Sequence, residues 1–153
     1  MGHSNGGFMS YRMACDHADE IAAIASIAGA TYDDPAKCTP SEPVATLEIH
    51  GTGDQTIRYQ GGSIQGDAYP SAPTTTETCA GHDRCSTTPD SPAPADRQIV
   101  QDLPAATVTS YSRGCEPGGH AELWTQPQGV HIPAWTEDFS TQVVDWLLAH
   151  PKP

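Results

Sequence analysis

The sequence predicts an α/β fold in which a small, mostly parallel sheet lies between helices. Stretches with helical spacing of apolar residues alternate with short apolar stretches typical of strands, in the order helix, strand, loop, helix, strand, strand, helix. The 153 residues suffice for one domain with a buried core. With its 14 glycines counted, the chain has an apolar content near that of ordinary globular proteins. We therefore expect a single domain over residues 1–153.

The first half of the chain predicts a helix followed by the clearest strand. Apolar residues recur at near-helical spacing over Asn5–Ile27, with a break expected near residues 16–19. The end of this segment, IASIAGA, also fits the start of a short strand. A proline-rich loop over residues 33–43 follows. The largely apolar Val44–Ile49 then predicts a strand, which ends in the glycine-rich turn of HGTGD.

The middle of the chain is rich in loops. Over residues 61–94 Gly, Pro, Thr, Ser and Asp dominate, and we expect only a short helix at Thr75–Ala80. The stretch DRQIVQDL predicts a further brief helix. Two strands, Thr107–Ser112 and Ala121–Thr125, flank RGCEPGGH, which has the composition of a turn.

The last predicted element is an amphipathic helix at Phe139–Leu148. Its apolar residues recur at helical spacing, so one stripe is expected to face the sheet. Thr136 is the expected N-cap, and Pro151 ends the helix.

Charge and hydropathy restrict the partners. The formal net charge of −12 argues against nucleic acid and anionic membranes, because like charges repel, and it favours neutral or cationic substrates. No apolar run approaches the roughly 20 residues needed to cross a bilayer. No signal peptide is visible ahead of the GHSNG motif near the start.

Five cysteines are more than a small cytosolic protein usually carries. None is spaced C-x-x-C, which argues against a zinc ribbon or a thioredoxin-like motif. Disulfides in a secreted or periplasmic protein fit better than five buried thiols. We expect the pairs Cys15–Cys38 and Cys85–Cys115, with Cys79 free, although Cys79 and Cys85 are close enough to exchange roles.

The pattern G-H-S-N-G makes Ser4 the candidate nucleophile. G-x-S-x-G places a serine on a sharp turn from a strand into a helix. Gly2 and Gly6 are expected to let this turn pack against the sheet without a side-chain clash. Only Met1 precedes the motif, so the source of the strand is not evident from the sequence. His3, beside the serine, is a candidate pocket residue.

Asp54, in LEIHGTGD, is the candidate acid. A serine nucleophile of this kind needs a general base and an acid that orients the base, in the chain order Ser, then Asp or Glu, then His. An aspartate just past a buried strand lies at the carboxyl edge of the sheet, where this acid is needed. The alternative is that Asp54 only caps the turn made by Gly51 and Gly53.

His131, in QGVHIPAW, is the candidate base, because it lies in the loop between the last strand and the last helix. His120 is the alternative, but it precedes that strand and so belongs at its opposite end. For His50 a structural or pocket-lining role is favoured. The seven histidines contain no H-x-x-x-H or H-E-x-x-H pairing, so we expect neither a metal nor another cofactor.

Three stretches together resemble the polyhydroxybutyrate depolymerase and feruloyl-esterase-like group of α/β-hydrolases. They are GHSNGGFMSYRMAC, IHGTGDQTIRYQGG, and GVHIP with the later DFSTQVVDWLLAHP. The similarity covers nearly the whole chain, and the three motifs in order are more specific than any one of them. It implies a secreted serine esterase whose triad is Ser4, Asp54 and His131.

The resemblance also implies further site residues and a substrate class. The backbone N–H of Asn5 would supply half of the oxyanion hole. Tyr59, in a Y-x-G-G loop, would shape a pocket to which we also assign His3 and Trp135. The substrates implied are small-molecule or polymeric esters, of short-chain, feruloyl, acetyl or polyester type.

Members of that group carry several strands and a second oxyanion donor before the serine motif, so the resemblance implies a chain that is truncated at its N-terminus relative to the group. We therefore expect a reduced α/β-hydrolase core of about three strands that lacks the strands before the nucleophile turn. The alternatives for the missing part are a fragment, an internally started reading frame, or a reduced enzyme that completes its sheet by pairing with a second copy. The rival interpretations are a catalytically inactive remnant that acts as a binding or structural module, and a peptidase or thioesterase on the same fold.

Overall fold

The computed structural model describes residues 1–90 and 97–153. In chain order its strands are β1 (Gly2–His3), β2 (Ala23–Ile27), β3 (Ala45–Gly51), β4 (Gly62–Ile64), β5 (Asp67–Tyr69), β6 (Thr107–Tyr111) and β7 (Ala121–Gln126). Over the same residues its α-helices are α1 (Asn5–Asp16), α2 (Ala72–His82) and α3 (Phe139–Leu148).

A five-stranded sheet with the order β1-β2-β3-β7-β6 organises the fold. The first four strands in this order run parallel, and β6 lies antiparallel to β7 at the edge. One apolar cluster joins Leu47 and Ile49 of β3 to Trp146 of α3, and a second joins Val44 to α1 and α2. The helices therefore cover both faces of the sheet. This confirms the predicted α/β class with a mostly parallel sheet.

The sheet has more strands than the three expected from the sequence. Residues 2–3 form β1, which pairs with β2 so that Gly2 lies opposite Ser26 and His3 opposite Ile27. Ser4 therefore does follow a strand, although a very short one. Its N–H continues the pairing by donating to the carbonyl oxygen of Ile27, 2.8 Å away.

The long first helix predicted over Asn5–Ile27 is wrong in its second half. The helix ends at Asp16, and residues 23–27 form β2 instead, as the alternative reading of IASIAGA anticipated. The last four residues of β2 are buried between β1 and β3. Strands buried on both sides are continuous apolar runs, and a short run of this kind cannot be told from a buried helix by its spacing alone.

Two further differences lie in the loop-rich middle. The sequence did not predict the hairpin of β4 and β5, and α2 extends beyond the predicted Thr75–Ala80. The brief helix predicted for DRQIVQDL is wrong over residues 97–103, and its start at Asp96 lies outside the described residues. Arg97 and Val100 instead form isolated bridges to Ala106 and Trp135. Val100 is buried in the apolar cluster that joins Leu47 and Ile49 to Trp146, called the α3 cluster below. Tertiary packing therefore overrides the local helical pattern.

Helix α3 has the predicted bounds but a different N-cap residue. Asp138 occupies the N-cap position and makes no side-chain capping bond. The hydroxyl of Thr136, the predicted cap, donates instead to the carbonyl oxygen of Gln98, at 3.3 Å. The hydroxyl that was expected to cap α3 therefore bonds to the loop at Gln98 instead.

One of the two predicted disulfides is present. Cys85 is bonded to Cys115, which confirms that pair, and Cys79 is a free, buried thiol as expected. The predicted Cys15–Cys38 pair is wrong, since both residues are buried free thiols. Burial raises the pKa of Cys38 above its ordinary value. The Cys15 thiol is directed instead at the carbonyl oxygen of Lys37, 3.9 Å from Sγ.

Candidate active site

Ser4 occupies a sharp turn between β1 and α1. Its backbone lies at φ 55° and ψ −120°, in the positive-φ region that residues other than glycine seldom adopt. The N–H groups of Gly7 and Phe8 donate to its carbonyl oxygen at 2.8 and 3.1 Å and start the helix. The serine side chain makes no capping bond to α1. A strained serine between a strand and a helix is the geometry that G-x-S-x-G predicts.

The glycines around Ser4 do not contribute equally to the turn. A Cβ on Gly2 would lie 2.1 Å from the carbonyl oxygen of Gly6, whereas a Cβ on Gly6 would meet nothing within 4 Å. The expected clearance is thus required at Gly2 and not at Gly6. A further close approach involves Gly7, where a Cβ would lie 2.7 Å from Ser26 Oγ of β2. Small residues therefore let α1 lie directly on the sheet.

Ser4, His131 and Asp54 form a continuous chain of hydrogen bonds. The Ser4 hydroxyl lies 3.0 Å from His131 Nε2, and His131 Nδ1 lies 2.7 Å from Asp54 Oδ2. The carboxylate is an acceptor, so Nδ1 carries a proton and Nε2 of the neutral ring is left to accept from the serine. The arrangement can therefore move a proton from Ser4 Oγ onto the imidazole while a buried carboxylate stabilises the cation that forms.

Topology explains why these three residues meet. Asp54 follows β3 and His131 follows β7, and these two strands are parallel neighbours in the sheet. Ser4 follows β1, which belongs to the same parallel set. The carboxyl ends of parallel strands lie at one edge of the sheet, where open α/β sheets bind their ligands.

Asp54 is 2% exposed and serves two purposes at once. Its Oδ1 accepts from the N–H groups of Thr56 and Ile57, at 2.8 and 2.9 Å, which holds the turn. Its Oδ2 is left for His131. The turn-capping and base-orienting interpretations of Asp54 are therefore compatible, one through each oxygen.

His120 lies away from this site, at the beginning of β7. Its Nε2 is 3.2 Å from both Ser110 Oγ and Glu122 Oε2. Of the two histidines that the sequence offered as the base, the structure brings only His131 to Ser4.

The three predicted pocket residues have different positions. His3 Nε2 donates to the backbone carbonyl of His131 at 2.8 Å, and the two rings lie 4.7 Å apart. Trp135 shares a small cavity with His131 and stacks on Phe139 at 3.9 Å. Tyr59 packs edge-on against His50, and its hydroxyl lies 2.8 Å from Thr125 Oγ1. His3 and Trp135 therefore adjoin the candidate base, whereas Tyr59 packs behind the acid.

The sequence did not predict a larger opening that reaches Asn5, the residue after Ser4. An open cleft of about 720 Å³ starts at Asn5, and its aromatic lining residues are Phe8, Tyr11, Tyr32 and Tyr69. Phe8 could be assigned only to the apolar stripe of a helix, and Tyr32 and Tyr69 come from segments without periodicity. No local pattern brings these rings together, so no sequence signal could have found the cleft.

Asn5 is the first residue of α1, next to Ser4. The N–H groups of the first helical turn have no acceptor within the helix, and the helix dipole makes this end partially positive. The Asn5 N–H is therefore available to stabilise negative charge that develops beside Ser4.

No three His, Cys, Asp or Glu side chains in residues 1–90 and 97–153 are grouped so as to hold a metal ion. Within the same ranges, no helix has the length and apolar character that a membrane crossing demands.

Fold and site together define an α/β protein whose sheet edge carries a hydrogen-bonded serine, histidine and aspartate. No protein-family model matches the chain. Over 61 residues it is 38% identical to a protein of Nocardia uniformis subsp. tsuyamanensis named "Putative esterase NocK". The aligned stretch is 40% of this chain and 18% of the Nocardia protein, so the match spans less than a fifth of that relative. This supports an esterase-like relationship and does not reach the narrower depolymerase group.

Proposed function

We propose that the protein is a serine carboxylesterase that works through an acyl-enzyme. The proposal rests on the hydrogen-bonded chain from Asp54 through His131 to Ser4, with distances of 2.7 and 3.0 Å. The partial similarity to a protein named as an esterase supports the same chemistry.

In the proposed reaction Ser4 Oγ attacks the carbonyl carbon of the ester while His131 Nε2 takes the serine proton. Asp54 holds the imidazolium, and the Asn5 N–H donates to the oxyanion. The C–O bond to the alcohol then breaks, and His131 returns the proton to the leaving oxygen. Water next attacks the acyl-serine with His131 again as base, which releases the acid and restores Ser4. One oxyanion donor typically contributes about 10²–10³-fold to such a rate.

The cleft that reaches Asn5 supports an ester with a sizeable organic group. It begins at Asn5, the proposed oxyanion donor, and leads past the rings of Phe8 and Tyr69. The net charge of −12 favours neutral or cationic substrates. From the sequence resemblance, we propose short-chain, feruloyl, acetyl or polyester esters as the candidates. The Cys85–Cys115 disulfide supports secretion or a periplasmic location, which is part of the same proposal.

A fluorophosphonate label and an activated ester test the proposal together. The label is expected on Ser4, with burst release of nitrophenol from a nitrophenyl ester. Ser4→Ala should lose both signals, and Ser63→Ala, on the exposed hairpin strand β4, should keep them. Labelling at another serine, or normal turnover in Ser4→Ala, contradicts the assignment. A folded protein with neither label nor burst supports the inactive remnant instead.

A further inference from the structure

Two buried charged residues of β3 have no role in the proposed reaction. Glu48 and His50 are 1% and 2% exposed, and they alternate along the strand with Leu47 and Ile49, which enter the α3 cluster. Their side chains therefore share the opposite face, and they lie behind Asp54. A carboxylate is costly to bury unless it is paired and hydrogen-bonded.

Glu48 is the centre of this buried group. Its Oε2 accepts from the hydroxyl of Tyr11 in α1 at 3.0 Å. Its Oε1 lies 3.3 Å from the N–H of Gly29, just after β2, and 3.1 Å from Nδ1 of His50. One carboxylate thus connects the helix that begins beside Ser4 with the strand that leads to Asp54.

The contacts of His50 fix where its protons lie. Its Nε2 is 2.8 Å from the carbonyl oxygen of Ile57, which can only accept, so Nε2 must carry a proton. The contact between His50 Nδ1 and Glu48 Oε1 holds one further proton, which is bonded either to Nδ1 or to Oε1. In either case the net charge of Glu48 and His50 together is zero, and the N–H at Nε2 of His50 lies toward the Asp54 loop.

This N–H is close to the candidate acid. His50 Nε2 lies 3.7 Å from Asp54 Oδ2, the oxygen that accepts from His131. It also holds the carbonyl of Ile57, whose own N–H donates to Asp54 Oδ1. His50 therefore acts on Asp54 both through space and through the backbone of its loop.

We propose that Glu48 and His50 form a positioning pair that sets the orientation and the electrostatic potential of Asp54. Glu48 fixes the ring of His50, and the Nε2–H of His50 holds the Asp54 loop while placing a partial positive charge beside Oδ2. The proposal rests on the proposed function, because Asp54 matters only if His131 is a base. Neither residue of the pair touches the reacting atoms.

The surroundings of Glu48 and His50 favour retention of the proton that these two residues share. Burial raises the pKa of Glu48 above its ordinary value. Burial alone would lower the pKa of His50, but its hydrogen bond to Glu48 and the charge of Glu48 raise it overall. The other titratable groups facing the pair are Tyr11 of α1 and Cys79 of α2, with Tyr59 edge-on to His50 and His131 beyond Asp54.

Nitrogen-15 NMR of the unmodified protein tests the proton assignment without any catalysis. Long-range proton–nitrogen correlations should show a protonated Nε2 in His50 between about pH 6 and 8. An unprotonated Nε2 in this range overturns the proposal. Because this measurement needs no substrate, it tests the proton assignment whether or not the protein is an esterase.

Two variants of His50 separate positioning from simple folding. His50→Asn keeps a donor near Glu48 but loses the one at Nε2, whereas His50→Gln can place an amide N–H near the Nε2 position. Without that N–H, the more negative potential at Asp54 stabilises the His131 cation. We expect His50→Asn to lower kcat with little change in KM, because the Asp54 loop loses its bond at the Ile57 carbonyl. Since the His131 cation is stabilised, the acidic limb of the pH–rate profile should move upward by about half a pH unit. His50→Gln should recover part of both effects.

His120→Asn is the matched control, because His120 also pairs with a glutamate two residues along a strand, at 3.2 Å from Glu122. It should leave the acidic limb unchanged. The proposal is overturned if His50→Asn leaves the limb unchanged, or if His120→Asn moves it equally. If His50→Asn does not fold, the protonation of His50 Nε2 in the unmodified protein still tests the proposal, and an unprotonated Nε2 overturns it. If the unmodified protein has no esterase activity, the proposed function fails, and the shift of the His131 ring titration between the variants still tests the pair.

Discussion

Gly51 and Gly129 pack against each other at the end of the sheet, so closely that a Cβ on Gly51 would lie 2.1 Å from the carbonyl oxygen of Gly129. The same oxygen accepts from the N–H of Gly53 at 2.9 Å. Gly51 ends β3 and Gly53 lies in the turn that carries Asp54, and Gly129 lies two residues before His131. Their contact therefore sets the separation between the candidate acid and the candidate base.

Gly51→Ala should separate these two loops. The methyl group would meet backbone atoms, which cannot rotate away, so one loop has to shift. A displacement of about 1 Å at a reacting group typically reduces a rate on the order of 10²-fold. We expect a loss of this size in kcat for a nitrophenyl ester, measured in steady state. Unchanged kcat in a folded Gly51→Ala protein would disprove this role of the contact.

Gly81→Ala is the matched control, because a Cβ there meets nothing within 4 Å and Gly81 lies inside α2. Replacing a helical glycine by alanine typically stabilises by about 0.5–1 kcal/mol. We expect normal kcat and a slightly higher melting temperature.

Histidine substitutions should distinguish the two candidate bases. His131→Ala removes the acceptor 3.0 Å from Ser4 Oγ, and turnover should fall by about 10³-fold or more. His120→Ala should retain turnover. It should lose some stability, because Glu122 loses the contact with His120 and keeps the bond from Trp124 Nε1, at 2.6 Å. Steady-state rates and melting curves of both proteins provide the measurement. Loss of turnover in His120→Ala alone would show that the base is misassigned.

The Cys85–Cys115 disulfide should contribute measurably to stability. It joins the end of α2 to the turn after β6 across a sequence separation of 30. Closing a loop of this length typically stabilises by about 2–4 kcal/mol. The double substitution of both cysteines by serine should lower the free energy of unfolding in urea by this amount.

Peptide mapping without reduction should then find one disulfide and three thiols that alkylate only after unfolding. Burial raises the pKa of the Cys79 thiol to about 12, so alkylation of Cys79 in the folded protein should be slow. A Cys15–Cys38 or Cys79–Cys115 peptide would contradict the pairing described above.

Asp83 should make stability depend on pH. Its carboxylate accepts from the N–H groups of Val44 and His120 at 3.1 and 3.0 Å, and burial raises its pKa from 3.8 to about 7. Between these values the native chain binds more protons than the unfolded chain. This contribution to the free energy of unfolding therefore decreases as pH rises through the window. In urea titrations from pH 4 to 8, the free energy of unfolding of Asp83→Asn should lack this decrease with rising pH. Equal pH slopes in the two proteins would refute the assignment.

Association between copies stays a prediction of the sequence. The edge strand β1 is two residues long and pairs with β2 in the described sheet. A sheet edge with unpaired backbone groups favours addition of another strand. We expect sedimentation to find a dimer or larger assembly, and activity to fall on dilution. A monomer with undiminished turnover at nanomolar concentration contradicts this.

The sequence alone determined the elements whose signals are local. Strand β3 ends within two residues of its predicted end, and α3 has the predicted bounds, because a compact apolar run and a helical stripe each lie within one segment. The candidate serine, acid and base were identifiable for a related reason, since each lies in a short motif at the end of an element. Their order along the chain then assigned a role to each. The single domain over residues 1–153 remains a prediction.

Only the tertiary structure decided what depends on residues far apart in the chain. Residues 23–27 became a strand, because pairing with both β1 and β3 outweighs their local spacing. The preference for His131 over His120 came from the sequence, but the distances that join His131 to Ser4 and Asp54 depend on three parallel strands that are far apart in the chain. The Glu48–His50 pair also needs α1 and the Asp54 loop around it. A buried carboxylate is stable only where several segments bring hydrogen-bond donors to it. Because these segments are far apart in the chain, no local sequence pattern predicts the arrangement.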